Sequence, residues 1–175
     1  PELPDAGEKK YVPAWTVYDH PRYPMRSLML DLGRAVFSKA YIQRIIRIMA
    51  HLKLNTLHLH LYDDEIGGYR FDSLPLGHEN PLALTKKDLQ ELVRYAQEHH
   101  IAVLPEIESW GHVKSVVYHF PELYGGPGMY GGASFAVGEK TFAVLEKMYG
   151  EIADCLPDTA AIHVGLDEAR WFVAP

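Results

Sequence analysis

The chain has 175 residues, 47% of them hydrophobic, with 17 Lys or Arg against 23 Asp or Glu and a formal charge of −6. That is one sizeable globular core; scattered basic residues argue against nucleic acid, which needs a clustered basic face, and no apolar run approaches the ~20 residues of a membrane span. The single cysteine, Cys155, excludes an internal disulfide and any multi-cysteine metal site. The polar opening PELPDAGEKKY lacks the build of a signal peptide.

Residues 25–32 (MRSLMLDL) read as a strand ended by Gly33. Ser38 then N-caps a helix whose Tyr41, Ile45, Ile48, Met49 and Leu52 recur at helical spacing. Residues 55–62 (NTLHLHLY) alternate as a strand does. Thr85 and Asp88 have the form of a capping box and open a helix running to His100. Residues 101–107 predict a third strand, 138–155 a third helix, and 160–165 (AAIHVG) a fourth strand. The glycine-rich run 124–132 is mobile by composition and reads as a solvated loop, with a lid over a ligand the alternative.

Alternating strands and helices imply a parallel sheet with helical crossovers. The helix-to-strand joints are short, whereas two strand-to-helix joints run to roughly 20 to 30 residues, far beyond the common connection. Long loops at the carboxyl ends of parallel strands build sites in barrels and in doubly wound sheets alike. Inward patterning separates the two. Leu57, Leu59 and Leu61 oppose His58 and His60; Val103, Pro105 and Ile107 oppose Leu104, Glu106 and Glu108. A doubly wound sheet buries both faces and reads as nearly continuous apolar runs, so one polar, titratable face predicts a (β/α)8 TIM-barrel type of α/β fold. Such a barrel takes about 250 residues. The expectation is therefore the first four β/α units, a half-barrel over residues 23–175 behind a lead-in of residues 1–22.

Asp167 and Glu168 close the fourth strand in HVGLDE. Two confined adjacent carboxylates tend to retain one proton, which sets a general acid beside a charged partner; acids at a helix N-terminus are the plainer explanation. His58 and His60, with His163, His112 and Asp167, allow a zinc reading, although paired histidines are more often hydrogen-bonded core residues. Asp63 and Asp64 suit the binding of sugar hydroxyls, the orienting of a histidine, or simple turn chemistry. Arg26, if inward, needs a partner or ligand. Trp110 offers a sugar-stacking face or a seal for the barrel mouth, and Cys155 reads as a packing residue.

Four segments in order, 19–34, 53–65, 105–112 and 163–168, resemble the catalytic-barrel motifs of family-20 glycoside hydrolases, the β-N-acetylhexosaminidases. The resemblance implies removal of terminal GlcNAc or GalNAc from β-linked glycans by a retaining mechanism. The substrate's own acetamido oxygen attacks and forms an oxazolinium intermediate, an exception to the usual two-carboxylate rule. It implies Glu168 as acid and base, Asp167 orienting the acetamido group, and Arg26 with Asp63 or Asp64 holding hydroxyls. His112 belongs to the network that tunes the acid; His60, Glu106, Glu108 and His163 are supporting residues, and no metal or cofactor is implied. Leu166 stands where the family has a second glycine, Glu108 where it has Asp, and Trp110 where it has Pro. The expected partners are N-acetylhexosamine-terminated glycans, and either a second half-barrel or a C-terminal half supplying the remaining strands. Such substrates favour a secreted or periplasmic place.

Overall fold

In a computed structural model, residues 14–168 are described, and their core is a three-stranded parallel sheet in the order β1 (Ser27–Asp31), β2 (Thr56–His60), β3 (Ala102–Glu106). The crossovers are α1 (Lys39–His51) and α2 (Lys86–Glu98). After β3 come α3 (Lys114–His119), an antiparallel hairpin of β4 (Tyr124–Pro127) with β5 (Ala133–Phe135), and α4 (Glu139–Cys155). Residues 1–13 of the expected lead-in and residues 169–175 of the expected half-barrel lie outside the described residues.

Both predicted caps form. Ser38 Oγ accepts from Tyr41 N at 3.2 Å, and Thr85 and Asp88 cap each other reciprocally. The face that α1 buries differs from the one expected. Ile42, Ile46 and Met49 are fully buried, while Tyr41, Ile48 and Leu52 remain exposed. Apolar residues occupy two adjacent stripes of this helix, and the sheet covers only one; Tyr41 stacks on Phe37 at 5.1 Å instead.

The alternation in β2 holds as read. Leu57, Leu59 and Leu61 are fully buried against the helices, while His58 and His60 take the opposite face. Cys155 is buried in the core, as a packing residue should be. Strand register then places Asp31, His60 and Glu106 in one row, which His163 extends through a parallel bridge to Glu106. Because register neighbours in a parallel sheet share a face, a titratable layer runs across the carboxyl ends of the strands.

The expected fourth strand is reduced to that bridge. His163 N donates to Pro105 O, Ile107 N to His163 O and Ser109 N to Gly165 O, so the segment follows β3 in parallel. Gly165, at φ 48°, then turns the chain out of the extended region. The Tyr149 hydroxyl from α4 lies 3.0 Å from Ile107 O and 3.2 Å from Val164 O, clamping both segments. The glycine-rich run is likewise not a solvated loop: it forms most of the β4–β5 hairpin.

Candidate active site

The sequence-predicted residues converge beyond the carboxyl ends of the strands, with one exception. Asp63 follows β2 and is fully buried; its Oδ2 meets Arg34 Nη2 at 2.8 Å and His60 Nε2 at 3.4 Å. Asp64 reaches outward. Its Oδ1 accepts from Lys114 N (3.0 Å) and Ala133 N (3.1 Å), and its Oδ2 lies 3.3 Å from His112 Nδ1. The other face of that imidazole meets the predicted acid pair: His112 Nε2 is 3.1 Å from Glu168 Oε2 and 3.7 Å from Asp167 Oδ2. A line of side chains therefore runs Asp64–His112–Glu168. His112 and Glu168 are both held at positive φ, 53° and 50°, a conformation uncommon for residues with a Cβ and concentrated at functional positions.

Glu108, at the end of the β3 segment, is 1% exposed. One oxygen lies 3.4 Å from His60 Nε2, and its carboxylate shares a cluster with Glu106 and Asp167 whose oxygens are all within 4.8 Å. It also presses on Gly165, where an added Cβ would come within 2.6 Å of Glu108 Oε2. Burial, the charge of Asp167 and a hydrogen bond to it, and then Glu106 and Asp63, push the Glu108 carboxyl up to about 9. Burial disfavours the Asp167 anion, but the hydrogen bond from Glu108, a backbone hydrogen bond and the nearby His112 and His60 outweigh it and hold Asp167 below the usual range. Glu108 is thus pushed towards its neutral form and Asp167 towards its anion.

This arrangement has a measurable signature. A carboxyl raised from 4.5 to about 9 keeps its proton in the folded state while the unfolded chain loses it. Its contribution to stability is complete below pH 4.5 and declines as pH rises towards 9. Glu108→Gln keeps an N–H donor towards Asp167 and cannot ionise. Its stability relative to the parent should climb between those pH values, by up to ~1.4 kcal/mol per pH unit, in urea unfolding followed across pH. A constant difference would mean that Glu108 is ionised in the fold.

Burial likewise lifts Asp63 to about 6, against the opposing pull of the Asp64 backbone, Arg34, His112 and His60. Deeper in the layer, His58 Nε2 and His163 Nδ1 face the two Glu106 oxygens at 2.8 and 2.5 Å. Burial, opposed by Glu106 and reinforced by His163, lowers the His58 imidazole. These three could offer ligand atoms to a metal, but His60 turns to a different cluster, with Asp31 and Asp63, and His112 to a third. The histidines of the zinc reading therefore do not meet at one point.

Arg26 is the exception. It precedes β1 and bonds to the carbonyls of Lys53 and Tyr23 at the amino ends of the strands, the end opposite the acids. The arginine that the structure brings to the acids is Arg34, three residues past β1, which touches Asp31, Asp63 and His112. Sequence reasoning missed it, although its place just beyond a strand's carboxyl end was the available signal. Trp110 is half-buried in the loop before His112, and its carbonyl accepts from Phe135 N in the hairpin.

A cleft of about 340 Å³ opens beside this centre, lined by Arg34, Asp63, Asp64, Glu65, His112 and the hairpin tip at Tyr130. A larger cavity, about 530 Å³, lies against Thr56, Ala102 and Leu104 at the other end of the sheet, away from the acids.

Parallel strands with acids, an arginine and histidines gathered at their carboxyl ends make a carboxylate-centred candidate site. Residues 23–172 match the family model "Glycosyl hydrolase family 20, catalytic domain", and the chain belongs to that family. A beta-hexosaminidase of Akkermansia muciniphila is 30% identical over 94% of this chain and 38% of its own length. The alpha subunit of beta-hexosaminidase from Bos taurus is 32% identical over 92% of the chain and 32% of its own. Among solved structures, a GH20 exo beta-N-acetylglucosaminidase from Vibrio harveyi, in complex with N-acetylglucosamine, superimposes with a TM-score of 0.77 at 26% identity, over 90% of this chain and 30% of that one. The chain thus spans about a third of the length of these relatives.

Proposed function

We propose that this chain carries the acid–base portion of an exo-acting β-N-acetylhexosaminidase that removes terminal N-acetylhexosamine from β-linked glycans. The observation that carries the reading is the Asp64–His112–Glu168 line with Asp167 beside it, 3.7 Å from His112 Nε2. With Nδ1–H directed at Asp64, His112 Nε2 accepts a hydrogen bond from a protonated Glu168, the form a general acid needs. Glu168 gives that proton to the glycosidic oxygen as the bond to the anomeric carbon breaks. The substrate's acetamido oxygen forms the new bond to that carbon from the opposite side, and Asp167 orients the acetamido N–H and balances the positive charge growing on the group. Water then attacks the anomeric carbon, gives its proton to the Glu168 carboxylate, and releases the acetamido oxygen. Configuration is retained and no protein nucleophile is used. Arg34 and Asp63 replace Arg26 as the hydroxyl-binding pair.

We further infer that the described strands are part of the first four units of an eight-unit barrel, with residues 23–175 inside it and 1–22 leading in. The free edge of β1, the exposed Leu28 and Met29, and the uncovered Tyr41, Ile48 and Leu52 stripe of α1 are the surfaces a neighbouring unit would cover. That unit comes from a C-terminal half or from a second copy.

With the barrel completed by a C-terminal half or a second copy, the test compares an aryl β-N-acetylglucosaminide with the matching aryl β-glucoside, which lacks the acetamido group. The expected result is aryl release from the first alone, inhibited by a thiazoline mimic of the intermediate. Equal hydrolysis of both would overturn the substrate-assisted mechanism. Binding of the mimic without turnover would make the chain a sugar-binding half-barrel.

A further inference from the structure

Tyr130 sits at the tip of the β4–β5 hairpin, is 86% exposed, and holds φ 52° and ψ 27°. For a bulky aromatic residue that left-handed conformation is unfavourable, and Gly131 beside it shows that the tip has room for residues that would adopt it freely. The Tyr130 hydroxyl has no hydrogen-bond partner among the described residues.

The tip is nevertheless rigidly tied to the active centre. Asp64 Oδ1 holds Ala133 N, Lys114 Nζ reaches Gly131 O at 3.3 Å, and Gly132 N donates to Met129 O at 2.8 Å. Gly132 packs so closely on the Asp64 carboxylate that a Cβ there would overlap it. The same carboxylate that supports His112 therefore fixes the height of Tyr130 over the cleft. Within that cleft the deep walls are the buried Asp63 and His112, and Tyr130 forms the outer rim.

Resting on the glycosidase reading above, we propose that Tyr130 is a stacking platform for the second sugar of the substrate, the one that departs with the leaving group. An exo-acting site takes the terminal sugar first and seats it deepest, against Asp63, Arg34 and His112, whose Nε2 lies 3.1 Å from Glu168. The next pyranose then lies towards solvent, where an exposed aromatic face meets its C–H face. Tyr130 is a specificity residue on this account: it selects a sugar over a simple alcohol or phenol as aglycone, and has no part in proton transfer.

The experiment titrates the protein, in its completed barrel, with N-acetylglucosamine and with its β-1,4-linked disaccharide, by calorimetry or NMR, in the parent, Tyr130→Ala, Tyr130→Phe and Tyr130→Gly. The disaccharide should bind the parent more tightly than the monosaccharide. Tyr130→Ala and Tyr130→Gly should remove that preference, weakening the disaccharide roughly 3- to 10-fold, the size of one aromatic contact, with monosaccharide affinity unchanged. Tyr130→Phe should keep it. Tyr130→Gly should also melt at a higher temperature, because the tip conformation is then unstrained. Equal weakening of both sugars, or of neither, would overturn the platform and leave the glycosidase reading standing. Failure of the parent to bind either sugar would instead overturn the glycosidase reading.

Discussion

Glu168→Gln is expected to lower turnover of an aryl β-N-acetylglucosaminide by about 10²- to 10⁴-fold, the range a positioned general acid–base contributes. Glutamine preserves the shape of the side chain and a polar contact with His112 Nε2, which lies 3.1 Å from Glu168 Oε2. What is lost is the transferable proton. The loss should be smaller for aryl groups that leave readily as anions, since these need little protonation, and larger for alkyl and sugar leaving groups. Binding of the thiazoline mimic should survive, because Asp167 and the neighbouring Glu108 are untouched. If instead the fall is equal for every leaving group, Glu168 is not the acid. If mimic binding collapses with activity, its role is structural.

Arg34→Ala and Arg26→Ala should behave as opposites, although both remove one guanidinium within eight residues of each other. Arg34 neutralises Asp63, a carboxylate that is fully buried. Breaking a wholly buried pair costs ~3–5 kcal/mol by stranding the remaining charge; the Arg34 side chain is 44% exposed, and solvent screening lowers the expected loss to about 1–3 kcal/mol. The pH dependence identifies the cause. Asp63 already titrates at about 6, raised by burial and restrained in part by Arg34, so its carboxyl should rise further in the variant. A group raised in the fold stabilises at low pH and loses that contribution as pH rises. The penalty of Arg34→Ala should therefore be small near pH 4 and largest above pH 6, in unfolding curves at both ends of that range. The variant should also bind the thiazoline mimic more weakly. Arg26→Ala, which loses only carbonyl partners at the amino ends of the strands, should leave mimic affinity unchanged. A matching loss of affinity in both variants would return Arg26 to the site.

The confusion between these two arginines illustrates where sequence reasoning is weak. Resemblance located the motif around β1 but not which of its basic residues faces the chemistry. Strand direction settles that, because Arg26 and Arg34 flank opposite ends of five extended residues. The α1 stripe is a similar case: the helix has apolar residues on two adjacent faces, and only the position of the sheet selects Ile42, Ile46 and Met49. In the hairpin, nine glycine-rich residues carry no strong local preference, and the ordering contact comes from Asp64, some seventy positions away. Glu108 was visible as a departure from the family pattern, but its neutral state depends on burial and on Asp167, both consequences of packing.

By itself the sequence determined what local chemistry can encode. The caps at Ser38 and Thr85, the two-residue alternation of Leu57, Leu59 and Leu61 with His58 and His60, and the acid pair at the end of HVGLDE all act within a few residues, where spacing and backbone geometry suffice. Only the tertiary structure decided which groups share a proton and which wall the cleft receives. Asp64, His112 and Glu168 lie on three separate loops, and the state of a buried carboxyl depends on the water excluded and the charges brought near it. Those quantities come into being when distant segments pack.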